Sequence, residues 1–402
     1  MTPPAGAGMN RDSMRRQNLA TMLRLIHVQN RLTRASLTAY MQLTRSTIGN
    51  LLEELADLGM VVLVDRPRTA GFVGRTSPEV HLVTENVQAI AVYVGRDSLR
   101  GATVGLGGTV LKRMNLATAG SNDPEQLVDA IIGLVGKLTA DLPASTPTVG
   151  LGIGLPGMVG EDGWIRLAPS LGWHDVPLQS MLQPRLPMSF PVKLSNDGDL
   201  GALAEHTRGA GAGTDHMIFV GCDDWGVGAG IISGGRAVRG VGGYAGELGH
   251  IVVGSRGSRC QCGRIGCWQT EIGPTRVAEA SAVENQGLPA LASALRKVDT
   301  PSPRLREIGK YLGLGLGNIV NALNPEVIVL GGTLRDLYPV VREDTDAAMA
   351  EAALSPSLSQ VRLVLSGLGA DAVLVGAAES VMQPLLTDPV WTLAEAHRGP
   401  LG

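Results

Sequence analysis

Between residues 245 and 273 the chain reads AGELGHIVVGSRGSRCQCGRIGCWQTEIG, a glycine-rich stretch holding three of its four cysteines and a histidine. His250 and Cys260 are separated by nine residues, Cys260 and Cys262 by one, and Cys262 and Cys267 by four. One imidazole and three thiolates form a sulfur-plus-nitrogen set that suits tetrahedral zinc closed by four protein ligands. The alternatives are weaker. Disulfides would need Cys222 to make the number even, and a reducing compartment disfavours them. A nucleophilic cysteine would not need two more beside it. Cys222, on an expected core strand, reads as a buried apolar filler. Glu247 stands three residues before the histidine and is a separate question, because a closed four-ligand site needs no fifth ligand.

Several elements must position this stretch. The chain has 402 residues, 44% of them hydrophobic, 18% charged and only 3% aromatic, with 54 glycines, which points to an α/β protein of two or three domains with aliphatic cores and tight connections. No run of about 18 apolar residues occurs, and the first residues, MTPPAGAGMNRDSMRR, contain no apolar stretch, so the expectation is a cytoplasmic protein without a membrane partner. The net charge of -3 is unevenly spread: residues 1 to 80 carry ten Arg, no Lys and six acids. A basic head on an acidic body points to nucleic acid.

In that head, Leu19, Met22, Leu23 and Ile26 recur at helical spacing, and TRASLTAYMQ predicts a second short helix from Thr33. A turn at Gln42-Leu43 leads to TRSTIGNLLEELADLGM, where Thr44 is the expected N-cap, Ile48, Leu51, Leu52, Leu55 and Leu58 form one face, and Gly59 is the stop. This is a helix-turn-helix whose third helix presents Arg45, Ser46, Thr47, Gly49 and Asn50 to a major groove. VVLVDRPRTAGFVGRTSPEVHL then predicts a wing, with Arg66, Arg68 and Arg75 on its loop placed to reach the phosphate backbone or a minor groove.

From about residue 86 the pattern changes. VQAIAVYVGRDSLRGATVGLGGTVLKRMN reads as three strands joined by glycine turns, an amphipathic helix follows from about Asp123 to Leu138, and TVGLGIGLPGMV is a further strand. HMIFVGCDDWGVGAGIISGGRAVRG and EVIVLGGTL repeat the plan. Two similar halves imply two lobes with a ligand cleft between them.

GELGH at 246–250, CQCGRIGC at 260–267, SNDGDLGALAE at 195–205, GLPG at 154–157 and NPEVIVLGG at 324–332 together resemble the ROK family of repressors, open reading frames and kinases, in its repressor branch with an N-terminal winged helix. The resemblance spans about Arg15 to Glu379. It implies an actin-like, ribonuclease-H-like ATPase fold for the body, and a division into a winged helix-turn-helix (1–82), a first lobe (86–198), a second lobe with the zinc loop (199–390, its last helix packing back on the first lobe) and a tail (391–402). It implies structural zinc on His250, Cys260, Cys262 and Cys267. It places Gly157, Asn196, Asp197, Glu247, His250 and Gln269 on a sugar, His250 serving both metal and sugar through its two ring nitrogens. The family's Glu after the last cysteine, in a GCxE pattern, is Gln269 here, which keeps hydrogen bonding and loses charge.

Kinases of this fold use an Asp-x-Gly-Gly-Thr turn for phosphate, and the corresponding residues here are Tyr93, Val94, Gly95, Arg96 and Asp97. In the second hairpin a Gly-Thr becomes Asp224-Trp225. No ATP is therefore expected, and Asp197, the general base of the kinases, reads as a relic kept for the sugar. The resulting expectation is a sugar-responsive transcriptional regulator, a repressor, bound to a pseudo-palindromic operator as a homodimer or homotetramer. The rivals are a sugar kinase with a DNA-binding head and a regulator controlled by a protein partner.

Overall fold

The computed structural model describes residues 11–65, 77–118, 122–143, 146–186, 190–254, 257–283 and 287–398. The wing arginines Arg66, Arg68 and Arg75 lie outside the described residues.

The head is three helices and a small sheet. Helix Arg11–Gln29 buries Leu19, Met22, Leu23 and Ile26, the periodic set of the sequence. Thr33 caps helix Arg34–Met41 by accepting from the Ser36 N–H, and Gln42, in the left-handed region, ends it. Thr44 caps helix Arg45–Asp57 by accepting from the Thr47 N–H, and Gly59 follows it at φ +70°. Strands Val61–Val64 and Glu79–Leu82 pair antiparallel as the wing, and a third strand, Arg31–Thr33, adds to the free side of Glu79–Leu82. The sequence reading lacks this third strand, because three residues between two helices carry no alternation to read.

In the body, two five-stranded sheets share one design. The first runs Val192–Asn196, Thr148–Leu155, Gln88–Val94, Ser98–Gly105, Val110–Ala117, parallel for the first three and antiparallel beyond. The second runs Arg236–Ala237, Val227–Ser233, Met217–Cys222, Val327–Gly332, Arg362–Leu365, with the same mixture. Helices Asp197–Arg208 and Ala372–Thr387 cross between the lobes. Their contact is close because Gly376 has no side chain: a Cβ there would lie 2.0 Å from the Leu200 carbonyl oxygen. Helix Asp197–Arg208 also packs on strands Met217–Cys222 and Val227–Ser233 of the second sheet, whereas helix Ala372–Thr387 lies on the first.

The head is not a separate bead, since Leu19, Met22 and Ile26 belong to the same apolar core as Ala89 and Ala91 of the first lobe and Ala378 and Leu385 of the late helix. Residues Pro389–Arg398 form a helix whose Leu393 joins that core, where the sequence reading has a tail from 391. A three-stranded sheet of Trp173–Val176, Ile165–Ala168 and Met158–Val159, also absent from the sequence reading, contributes Met158 and Leu167 to the wall of the cleft.

Candidate ligand cavity, metal centre and nucleic-acid surface

The four donor atoms of His250, Cys260, Cys262 and Cys267 lie within 4.8 Å of one another. Cys260 Sγ is 3.6 Å from His250 Nδ1, and Cys262 Sγ is 3.6 Å from Cys267 Sγ. Bonds of ordinary zinc length meeting at the tetrahedral angle put sulfur and nitrogen about 3.6 Å apart and two sulfurs about 3.8 Å apart. The donor chemistry and spacing therefore fit zinc. Glycine turns at Gly263 (φ +89°) and Gly266 (φ +80°) fold the loop back on itself. Trp268, fully buried, anchors it by donating from Nε1 to the Tyr311 carbonyl at 2.8 Å. Gln269 Nε2 donates to Cys260 Sγ at 3.0 Å, a bond that a glutamate at this position does not offer. Cys222 is buried in its strand away from the cluster, and burial together with Asp223 pushes its thiol well up.

Beside the metal cluster opens a cleft with a cavity volume of about 210 Å³. It brings together Gly157, Asn196, Asp197, Glu247, His250 and Gln269, separated by more than a hundred residues in sequence. Asn196 caps helix Asp197–Arg208, its Oδ1 accepting from the N–H groups of Gly198 (2.8 Å) and Asp199 (3.3 Å) while Nδ2 donates to the Gly157 carbonyl at 3.0 Å. Much of its hydrogen bonding is thus spent on holding the Gly157 turn and the start of the helix, which aims Asp197 into the cleft. Gly157 sits at φ +108°, and a Cβ there would lie 2.5 Å from the Leu167 carbonyl oxygen. His250 turns Nδ1 to the cluster and Nε2 toward Glu247, 3.8 Å away.

Burial, with the neighbouring Asp223 carboxylate, pushes Asp197 well above the ordinary carboxylate range. Burial, then Asp199, pushes Glu247 up. Asp197 Oδ1 already accepts from the Gly198 N–H at 2.9 Å, and the remaining acceptor capacity of the two carboxylates suits the hydroxyl donors of a polyhydroxylated ligand. Trp225, Pro156, Pro169, Met158 and Leu167 give the cleft apolar walls for the C–H faces of such a ligand. Asp223, Trp225 and the small covering sheet are lining residues that the sequence reading did not assign to the ligand. The CDDWG motif was available for it, but its meaning as a wall of the cleft depends on the cross-lobe packing.

The two turns that the resemblance assigns to phosphate face each other and are bonded together. The Tyr93 hydroxyl donates to Asp223 Oδ2. Trp225 Nε1 donates to the Val94 carbonyl at 2.8 Å, and Arg96 donates to the Asp224 carbonyl from Nη2 at 3.1 Å. Arg96 also lies over the Trp225 ring, 5.5 Å from its centre.

In the head, Arg45, Ser46 and Asn50 are exposed and Thr47 is partly so. Gly49, expected at the exposed end, is instead buried beneath Arg34: a Cβ there would meet Arg34 Nη2 at 2.3 Å. Arg34 Nη2 donates to the Arg45 carbonyl at 3.1 Å and so adds a further cation at this helix start. No helix among the described residues is long and apolar enough to cross a membrane.

Known proteins place this arrangement. The chain is 26% identical to the xylose repressor of Bacillus subtilis over 93% of its own length and 97% of that protein. It is 30% identical to a glucokinase of Halalkalibacterium halodurans over 72% of its length and 95% of the kinase, so the relatives include both regulators and enzymes. Among solved structures, a ROK family transcriptional regulator, a homologue of the E. coli MLC protein, superposes with a TM-score of 0.74 at 23% identity, covering 96% of this chain and all of the other. The ROK family model matches residues 89–383, and the chain belongs to the ROK family.

Proposed function

We propose that this protein is a cytoplasmic, sugar-responsive transcriptional repressor whose kinase-like body binds a sugar without phosphorylating it. The observation that carries the reading is the division of labour in the cleft. Its ligand side is lined by carboxylates, amides and an imidazole over apolar walls, while the two turns facing phosphate in a kinase are occupied by each other. The full-length match to a xylose repressor supports it. Asn196, Asp197, Glu247, His250 and Gln269, with the Gly157 turn, hold the sugar. His250, Cys260, Cys262 and Cys267 hold structural zinc, which when bound fixes the loop that presents His250 and Gln269. Arg45, Ser46, Thr47 and Asn50, with the wing arginines Arg66, Arg68 and Arg75, meet a double-stranded operator. One head reads a half-site, so a homodimer or homotetramer meets a pseudo-palindrome.

The test is operator binding to the DNA around the protein's own gene, with and without D-xylose, D-glucose or their phosphates. Release of DNA by one of these supports the reading, and indifference to all of them favours control by a protein partner. Asn50→Ala and Arg45→Ala are each expected to weaken specific binding by about 1 to 3 kcal/mol if they touch bases, whereas a phosphate contact weakens all sequences alike and lowers the salt slope. Unchanged specific and non-specific binding in both variants removes this helix from recognition.

With magnesium-ATP and a hexose or pentose, no sugar phosphate is expected, because Tyr93, Asp223 and Asp224 put carboxylates and a phenol where a γ-phosphate needs donors and a metal. Phosphorylated sugar that disappears in Asp197→Asn would establish a kinase instead.

A further inference from the structure

One end of helix Asp197–Arg208 lines the ligand cleft and the other touches the DNA-binding head. At its start Asn196 and Asp197 face the cleft. Twelve residues of helix carry the chain about 18 Å to Arg208, whose side chain is 7% exposed. There Nε donates to Glu379 Oε1 at 2.6 Å and Nη1 to the carbonyl of His27 at 2.8 Å. His27 is in the last turn of the head's first helix and is 1% exposed. Its Nδ1 accepts from the Gly107 N–H at 3.0 Å, and its Nε2 faces both Glu379 Oε2, at 3.0 Å, and Arg208 Nη2. Arg208, Glu379 and His27 thus meet in a buried junction that joins three elements remote in sequence.

The partners of this junction are anchored differently in the two lobes. His27, Gly107 and Glu379 ride with the first lobe: the head shares its apolar core, Gly107 follows a strand of its sheet, and Glu379 is on the helix laid over that sheet. Arg208 is on a helix that touches both lobes: Leu200 of that helix packs under Gly376 of helix Ala372–Thr387 and shares the first lobe's core. Its helix packs on two strands of the second sheet, a Cβ on Gly198 would lie 2.4 Å from the Ala229 N, and Glu205 accepts from Ser366 Oγ at 2.5 Å and from the N–H groups of Gly367 and Leu368 at 3.1 and 3.0 Å, just beyond that sheet's last strand. A closure of the lobes that slides helix Asp197–Arg208 along helix Ala372–Thr387 displaces Arg208 relative to His27. We propose that Arg208 is the positioning residue through which occupancy of the cleft resets the pose of the DNA-binding head. The bonds that hold the head are among those that lobe closure must strain or break, and packed interfaces of this kind switch between discrete arrangements. This rests on the reading of the protein as a ligand-responsive DNA binder.

Two variants test it. Arg208→Lys keeps the charge beside Glu379 but lacks the fork that reaches the His27 carbonyl at the same time. Arg208→Met with Glu379→Gln removes both charges, so neither is left buried alone if the single variant fails to fold. Each full-length protein is measured for melting temperature, for affinity to D-xylose and D-glucose by calorimetry, and for operator affinity with and without the sugar that wild type responds to. Wild type is expected to lose operator affinity by about 5- to 150-fold on sugar. A variant that is folded should bind sugar within about threefold of wild type but change operator affinity by less than about threefold. Without sugar, amide exchange in residues 19–29 should quicken while strand Met217–Cys222 stays protected. A full sugar response with unaltered exchange in a folded variant overturns the role of Arg208 alone. A wild type that binds operator and ignores every sugar overturns the functional reading beneath it.

Discussion

A Cys262→Ala chain is expected to lose its zinc and to melt about 6 to 12 °C lower. Between Ile251 and Trp268 the described residues form only two isolated bridges, Val252 with Cys267 and Arg259 with Ile265, so the order of the loop depends on a cross-link rather than on a ladder. A tie closing a loop of this length removes roughly 3 kcal/mol of unfolded-chain entropy, the value for a disulfide of similar span. Each kcal/mol moves the midpoint of a domain of about 150 to 250 residues by about 2 to 4 °C. Affinity for sugar should fall with the metal, because the loop presents His250 and Gln269 to the cleft and Gln269 itself bonds to Cys260. Metal analysis and thermal melts on Cys262→Ala and, as a control, Cys222→Ala decide the matter. Cys222 lies outside the cluster, and its loss should leave one zinc per chain. A Cys262→Ala protein with a full zinc equivalent and an unchanged melt would remove the structural metal.

The cluster was legible in the sequence because four ligands of two types within eighteen residues constrain their own geometry: a loop that short cannot scatter them. The same holds for the helix starts, where Thr33 and Thr44 satisfy an N–H three residues away. What local sequence does not record is which distant surfaces meet. Tyr93 and Asp223 are 130 residues apart, and His27 and Glu379 are 352 apart. Each looks ordinary in its own segment, and only the packing of the two lobes and the head turns them into a cross-cleft tie and a buried junction. Gly49 shows the same limit at short range. Its position on the recognition helix was clear, but the guanidinium folded over it came from Arg34, one helix earlier. The strand Arg31–Thr33 exists because Glu79–Leu82 offers an open edge, so its cause is nearly fifty residues downstream.

Glu247→Ala is expected to stay folded, keep zinc and bind operator, yet fail to respond to sugar. The carboxylate lies one residue outside the short turn Leu248–His250, makes no cap bond there and is not among the four metal donors; it lies 3.8 Å from His250 Nε2, too far for a hydrogen bond, so the fold rests little on it. Its environment instead marks it for a ligand. Burial and Asp199 push its protonation upward, and a hydroxyl donor from a sugar would relieve part of that cost. A hydrogen bond to a charged group contributes about 1.5 to 3 kcal/mol, so affinity for the sugar should fall by about 10- to 100-fold. Glu247→Gln, which keeps an acceptor and adds a donor, should lose less. The distinction from Cys262→Ala is the readout: metal content and melting temperature remain those of wild type, and only calorimetry with sugar and sugar-induced operator release change. Normal release of DNA by Glu247→Ala would separate this carboxylate from the effector site and leave Asp197, the other carboxylate aimed into the cleft beside Asp223, as the group to which the sugar hydroxyls must be assigned.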